Sequence, residues 1–513
     1  MKSFFLRSLL VVFFVPTLFA SDVVQLDSGP ISGITKDGLH IYLGIPYAAA
    51  PVGKLRWKAT QPVEPWKNVK VCDAYGNYCP QPEGKSKVIG KASSEDCLNL
   101  NIWTPAKSNK EKLPVMVWIH GGGWAWGSGA MYDGSFIAQK GVVLVNFNYR
   151  LGPLGFFAHP QLALESPQGT MGNYGLMDQI AALQWVKKNI SAFGGDPNNV
   201  TIFGESAGSA AVSLLMISPL ASGLFNKGIS ESGGPYGIEC LLPQGDGQMQ
   251  KAILESEKLT KVLKCDKASD QIKAMRSRSA DEIIKSYDFS LRPFASGMKF
   301  APVNDGYVIP DDPKKLYVQG KNSTVPLMLG SNANEGTLFY EPMSVDDYKK
   351  WIKIQFGKHS DEVFAMFPAK KAEDVRGVFD RLSGLMMFAE PARFVARARN
   401  KQHAKTYLYH FTRVAAAPFG KKLGATHGAE LYYVFGLTDK KMGFNDTDIK
   451  LADEMMDYWT NFAKTGDPNG RGLVRWPTYN RKTEENIEFG NKVHTNKHLL
   501  KKECDLMQKV QQD

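Results

Sequence analysis

The chain has few cysteines, nine histidines and, beyond its first 20 residues, no apolar run long enough for a transmembrane helix. It contains no C-x-x-C and no H-E-x-x-H, so nothing in it reads as a zinc site, and no metal or other cofactor is expected. Gly84-Lys85-Ser86 lacks the upstream glycine of a phosphate-binding loop. The net charge of +11 is dispersed rather than gathered into a basic stripe with interleaved aromatics, which argues against a nucleic-acid partner. Internal repeats, low-complexity tracts and long linkers are all missing. The C-terminal Gln511-Gln512-Asp513 is neither an ER-retention tetrapeptide nor a lipid-anchor tail.

What is present begins with an export signal. Met1 to Ala20 carries Lys2 and Arg7, an apolar run from Leu9 to Val15, then Pro16 and the small Ala20. This reads as a secretory signal peptide with cleavage after Ala20, directing the chain outside the cell or to a periplasm. Six cysteines fit such an oxidising compartment, although spacing alone does not set their pairing. N-x-S/T sequons start at Asn189, Asn199, Asn322 and Asn445, of which Asn322 and Asn445 are plausible acceptors in a eukaryotic host. A hydrophobic content of 43% supplies a sizeable core.

The most specific signal is Gly204-Glu205-Ser206-Ala207-Gly208. It follows a strand-like run, Asn199 to Phe203, and opens a helix-like segment, Ala207 to Met216. Strand, sharp turn and helix are the context in which G-x-S-x-G exposes a nucleophilic serine. Pro114 to Ile119 reads as a buried strand and runs into His120-Gly121-Gly122-Gly123, whose backbone N–H groups suit a developing oxyanion. Far downstream, His427 sits among small residues in Gly424 to Glu430. Thr324 to Gly330 reads as a further strand, with Glu335 in the turn after it. Serine, acid and histidine then fall in the chain order Ser206, Glu335, His427. Glu341 and Asp380 also lie between serine and histidine, but neither follows a strand signal. Glu205 reads as a charge beside the site, and His120 as a residue that orients the glycine loop. The expected oxyanion donors are the N–H groups of Ala207, Gly122 and Gly123. Gly141 to Phe147 is another strand; Met177 to Asn189 and Ile449 to Phe462 are amphipathic helices. Because one site needs residues so far apart, 21–513 is read as one large domain.

At these residues the chain resembles the type-B carboxylesterases and cholinesterases of the α/β-hydrolase fold. The resemblance also rests on Leu43 to Ala48, Ser94 to Asn101, Asn148 to Gly152, Phe193 to Pro197, Gly330 to Gly336 and Phe462 to Asn469. It implies an α/β architecture, with a large and mostly parallel central sheet covered by helices on both faces. It implies a serine esterase that hydrolyses small to medium carboxylic esters through an acyl-enzyme. It also implies two disulfides, Cys79–Cys97 and Cys240–Cys265, leaving Cys72 and Cys504 to pair, stay free or link two chains. Lipase-like action and a catalytically idle adhesion role are the alternatives; the presence of all three site residues opposes the second. Cholinesterases carry an aromatic choline platform in the loop that here spans Pro80 to Asp96, and this loop contains no aromatic residue. Choline esters are therefore not expected as main substrates. Trp124, Trp126, Tyr236 and Phe419 are candidates either for pocket lining or for plain core packing.

Overall fold

In a computed structural model, residues 19–20, 23–83, 88–236, 248–287 and 297–510 are described. One twelve-stranded sheet organises them, made of β1 (Phe19–Ala20), β2 (Ile34–Lys36), β3 (Leu39–Pro46), β4 (Asn99–Thr104), β5 (Leu113–Ile119), β6 (Val143–Phe147), β7 (Gly195–Glu205), β8 (Lys227–Glu231), β9 (Leu327–Asn332), β10 (Thr406–Phe411), β11 (Glu485–Phe489) and β12 (Val493–Lys497). The spatial order is β1-β2-β3-β4-β6-β5-β7-β8-β9-β10-β11-β12. From β6 to β11 every pairing is parallel, whereas the pairings from β1 to β6 and the last one, β11 with β12, are antiparallel. A separate small sheet joins Val24–Gln25, Pro30–Ser32 and Lys70–Val71.

The central strands are apolar on both sides because both faces are covered. Along β5, Val115, Val117 and Ile119 enter one core while Met116 and Trp118 enter the other, following the two-residue period of a strand. Helices α1 (Tyr174–Asn189) and α2 (Ala207–Leu215) supply the first core with Leu183, Val186, Val212 and Leu214. Helix α3 (Ala372–Gly384) continues through a π-helical turn, Leu385–Ala389, into α4 (Glu390–Asn400) on the same side. Helix α5 (Asp446–Thr465) supplies the second core with Leu451, Met455, Trp459 and Phe462. A capping box between Asn445 and Asp448 starts α5, and Gly466 at φ 77° ends it. A last helix, α6 (Lys501–Val510), buries Cys504, Leu506 and Met507. No helix among the described residues is long and apolar enough to cross a membrane.

Strand β9 begins at Leu327 rather than at Thr324. Pro326 has no N–H to give a ladder, although its carbonyl still accepts from Gly228 at 3.0 Å. Residues 1–18, nearly all of the expected signal peptide, lie outside the described residues; Phe19 and Ala20 pair with Thr35 and Ile34. Cys79 and Cys97 are bonded, as the resemblance implied. Of the second expected bridge, Cys240 lies outside the described residues, and Cys265 is a free, buried cysteine. Cys265 closes the end of the helix Gln248–Val262, its N–H bonded to the Thr260 carbonyl at 2.9 Å after Lys264 at φ 54°. In that turn the thiol takes the place of the small apolar residue that packs back on the helix. Cys72 and Cys504 are also free and buried. Asn322 is buried, its amide N–H bonded to the Ser323 carbonyl and its oxygen to Gln402, so it does not offer the open acceptor expected of that sequon. Asn445 is exposed.

Candidate active site

Ligand sites in open α/β sheets lie at the carboxyl ends of the parallel strands, and the predicted residues meet there. Register aligns Glu205 with Glu231, Glu231 with Gly330, and Gly330 with Tyr409, so the ends of β7 to β10 are level. Ser206 is the residue after β7. Its backbone sits at φ 58°, ψ −123°, a strained conformation of the kind found at nucleophile turns. The strain is held by a hydrogen bond from Ser206 N–H to the Glu231 carbonyl at 2.9 Å and by α2, which starts at once. The flanking glycines are needed for space. A Cβ on Gly204 would lie 2.6 Å from the Ile119 carbonyl, and one on Gly208 would run into the same oxygen.

Glu335 and His427 are brought together by a clasp between their loops. Asn334 N–H donates to the Ala425 carbonyl at 3.0 Å, and Ala425 N–H returns a bond to the Asn334 side chain at 3.0 Å. Thr337 donates to Thr426 at 2.8 Å. Within this clasp His427 Nδ1 lies 2.6 Å from Glu335 Oε2, and Glu335 Oε1 accepts from Asn332 N–H at 2.7 Å. The acid is thus fixed at both oxygens and can hold the imidazole tautomer with its proton on Nδ1. Of the other acids weighed, Asp380 bonds to Asn334 rather than to the histidine, at 2.9 Å.

On the other side of Ser206 the glycine loop follows β5. Gly122 has φ 102°, and a side chain there would meet the Trp126 carbonyl. Neither Gly122 nor Gly123 gives its N–H to an acceptor among the described residues. The Ala207 N–H belongs to the first turn of α2, where donors have no partner inside the helix. Three unpaired donors therefore border the serine. His120 steadies this loop. Its ring stacks on Tyr149 at 4.4 Å, its Nδ1 lies 2.9 Å from the Gly121 carbonyl, and burial lowers its pKa to about 4, so it is neutral. That fits an orienting role.

A strained serine turn, a carboxylate-bound histidine and open backbone donors are the parts that an ester hydrolase of this kind requires, and comparison with known proteins shows the family. The model of the carboxylesterase family matches residues 20–507. The chain belongs to the carboxylesterase family. It is 38% identical over 499 residues to a fumonisin B1 esterase of Sphingopyxis macrogoltabida, covering 93% of this chain and 88% of that one. It is 35% identical over 492 residues to a para-nitrobenzyl esterase of Bacillus subtilis (strain 168), covering 92% and 95%. The solved structure of PNB esterase superposes with a TM-score of 0.80 at 33% identity over 94% of this chain and 99% of that one. The fold is the α/β-hydrolase fold, and the protein is a carboxylic ester hydrolase.

Sequence reasoning named Glu335 and Glu205 but did not foresee Glu231 and Glu430, which join them behind this carboxylesterase site. Glu205, Glu231, Glu335 and Glu430 are all buried. Glu205 Oε1 stands 3.1 Å from His427 Nε2, an ion-pair contact without the direction of a hydrogen bond. Glu430 is bonded by Asn332 and by Ser232, and Glu231 Oε1 accepts from Trp459 Nε1 at 2.8 Å. Burial raises the pKa of Glu205, Glu231 and Glu430, and neighbouring carboxylates add to it: Glu335 for Glu205, Glu430 and Glu205 for Glu231, Glu205 and Glu335 for Glu430. For His427 burial acts downward, but the carboxylates of Glu205 and Glu335 outweigh it and raise the pKa. Two phenylalanines flank the same ring: Phe388 is stacked at 4.5 Å and Phe339 tilted at 5.2 Å. Of the aromatic residues weighed for a pocket, Tyr236 bonds through its OH to Glu390 at 3.0 Å, Trp124 packs edge-on to Phe156, and Phe419 stacks on Tyr432.

Proposed function

We propose that this carboxylesterase works through an acyl-enzyme with Ser206 as nucleophile, His427 as general base and acid, and Glu335 as its orienting carboxylate. The 2.6 Å bond from His427 Nδ1 to Glu335, at the strand edge that also carries Ser206, is the observation that supports this most. His427 Nε2 turns from Glu205 to take the Ser206 proton. The tetrahedral oxyanion is held by Gly122, Gly123 and Ala207, and the imidazolium then protonates the leaving alcohol. Water releases the acid by the reverse proton path.

Residues 21–513 act as one domain in this reading, since the site draws on β5, β7 and the loops after β9 and β10. The substrates are small to medium carboxylic esters. Discrimination between neighbouring acyl lengths in an apolar pocket is only ~1–3 kcal/mol per methylene, so breadth is expected. Export is supported by the N-terminal sequence and by the Cys79–Cys97 bond, which suits an oxidising compartment. The test is a panel of p-nitrophenyl acetate, butyrate and longer esters, with acetylcholine and fumonisin B1 as further arms. Kcat/KM should be highest among the neutral esters. A clear preference for acetylcholine would overturn the substrate class, and a preference for fumonisin B1 would narrow it to that ester.

A further inference from the structure

The reaction as described makes no use of the π-helical turn between α3 and α4. There the N–H of Glu390 reaches back five residues to the carbonyl of Leu385, and all five residues of the turn are buried. Such turns are rare and gather at functional sites. This one is docked on both sides. Ahead of it, a Cβ on Gly384 would lie 3.1 Å from the Cβ of Glu335, and one on Gly336 would lie 2.6 Å from Asp380 Cα. Behind it, one on Gly234 would lie 2.8 Å from Pro391, and Glu390 holds Tyr236. Helix α3 is therefore seated on the turn that carries Glu335. Helix α4 is seated on the chain just past Gly233, itself close enough that an added Cβ would lie 2.7 Å from the Ser206 carbonyl. One extra residue in a helix turns everything after it by about 100°, the advance per residue of a 3.6-fold helix. The extra residue lets both halves dock at once, and it leaves Phe388 between them.

Phe388 is 1% exposed, and its ring faces His427 with centroids 4.5 Å apart and planes at 28°. Phe339 closes in at 5.2 Å and 52°, and it also packs on Phe388 at 6.0 Å. We propose that Phe388, delivered by the π-helical turn, is a positioning residue for His427. Its ring covers one face of the imidazole and keeps Nδ1 on Glu335. Nε2 is left free to turn from Glu205 to Ser206. The same aromatic face attracts the imidazolium that forms as the serine proton is taken, more than it attracts the neutral ring. Phe388 acts through His427 and has no part in bond making. The proposal rests on His427 being the base.

The experiment compares Phe388→Ala, Phe388→Leu and Phe388→Tyr with the parent enzyme and with His427→Ala, on p-nitrophenyl acetate. An aromatic face over a cation gives the scale: Phe388→Ala should lose about tenfold in kcat with KM within about twofold. Phe388→Leu refills the space without a ring and should stay low, while Phe388→Tyr should return to within about twofold of the parent. Parent-like kcat in the alanine variant would overturn the proposal. A loss confined to KM would do the same, and so would full recovery by leucine or none by tyrosine. An active His427→Ala would instead refute the base assignment. A dead His427→Ala beside an unaffected Phe388→Ala would refute the positioning role alone.

Discussion

Replacing Glu205 with glutamine should move the acid limb of kcat/KM to lower pH. In the parent, Glu205 Oε1 is 3.1 Å from His427 Nε2, and the two side chains are only 7% and 6% exposed. Burial alone would depress the histidine pKa; the Glu205 carboxylate is the strongest influence raising it, followed by Glu335. At an effective dielectric of ~20, unit charges at this separation attract by about 5 kcal/mol, which sets a ceiling. Glu205 must itself ionise in a buried site beside Glu335, which consumes part of that attraction. The net effect belongs in the usual range for such pairs, about 1–3 pH units. The limb records one proton held jointly by Glu205 and His427. With glutamine in place the imidazole keeps only Glu335 as a close charge partner, and it loses its proton earlier as pH rises. The assay is kcat/KM for a neutral p-nitrophenyl ester across the acidic to mildly alkaline range. A limb that stays in place, or moves upward, would refute the argument. Stability follows the same linkage. His427 has a raised pKa in the folded state, so its contribution is complete below its ordinary value of 6.5 and is lost as pH rises through the raised one. Glu205 and Glu430 are raised too and act in the same sense. The thermal midpoint should fall toward alkaline pH, and less steeply in Glu205→Gln.

Ser206→Ala should abolish turnover with the fold retained, and an organophosphate should label Ser206 in the parent; labelling of Ser232 instead would move the nucleophile. Gly122→Ala places a methyl against the Trp126 carbonyl at φ 102° and should displace the oxyanion loop, lowering kcat by about 10²–10³. A parent-like kcat would show that this loop holds no oxyanion. Cys79→Ser opens a bond between cysteines 18 positions apart and should cost about 3 kcal/mol in the chain-entropy model, read as a lower midpoint in thermal unfolding. An unchanged midpoint would mean that the loop is equally ordered without its bridge.

Much of the candidate site could be read from the chain because three of its parts follow the ends of strands, and strands here are legible as apolar runs. Leu113–Ile119 leads to the glycine loop, Gly195–Glu205 to Ser206, and Leu327–Asn332 to Glu335. His427 lay near no such signal and was placed by order and by its small neighbours. What stayed hidden depends on tertiary register. Glu231 lies in no motif of the sequence, and only its pairing with Glu205 and Gly330 puts it among the other acids. The π-helical turn has no motif, since Leu385 to Ala389 is simply apolar and the extra residue is dictated by two docking surfaces that lie distant in the chain. The Cys240–Cys265 pairing was expected from the resemblance alone, since cysteine spacing does not set connectivity.

The level strand ends have a consequence for how activity returns after unfolding. Ser206, Glu335 and His427 are separated by more than a hundred positions in one case and nearly as many in the other, and no local contact joins them. Their meeting depends on β7, β8, β9 and β10 being paired in the one register that sets Glu205, Glu231, Gly330 and Tyr409 side by side. Pairings of such long sequence separation are slow to form. A refolding chain with β5 and β7 joined already owns the serine and the glycine loop, yet it has no base. Hydrolysis should therefore lag behind the recovery of secondary structure, and ester turnover can serve as a clock for the addition of β9 and β10 to the sheet.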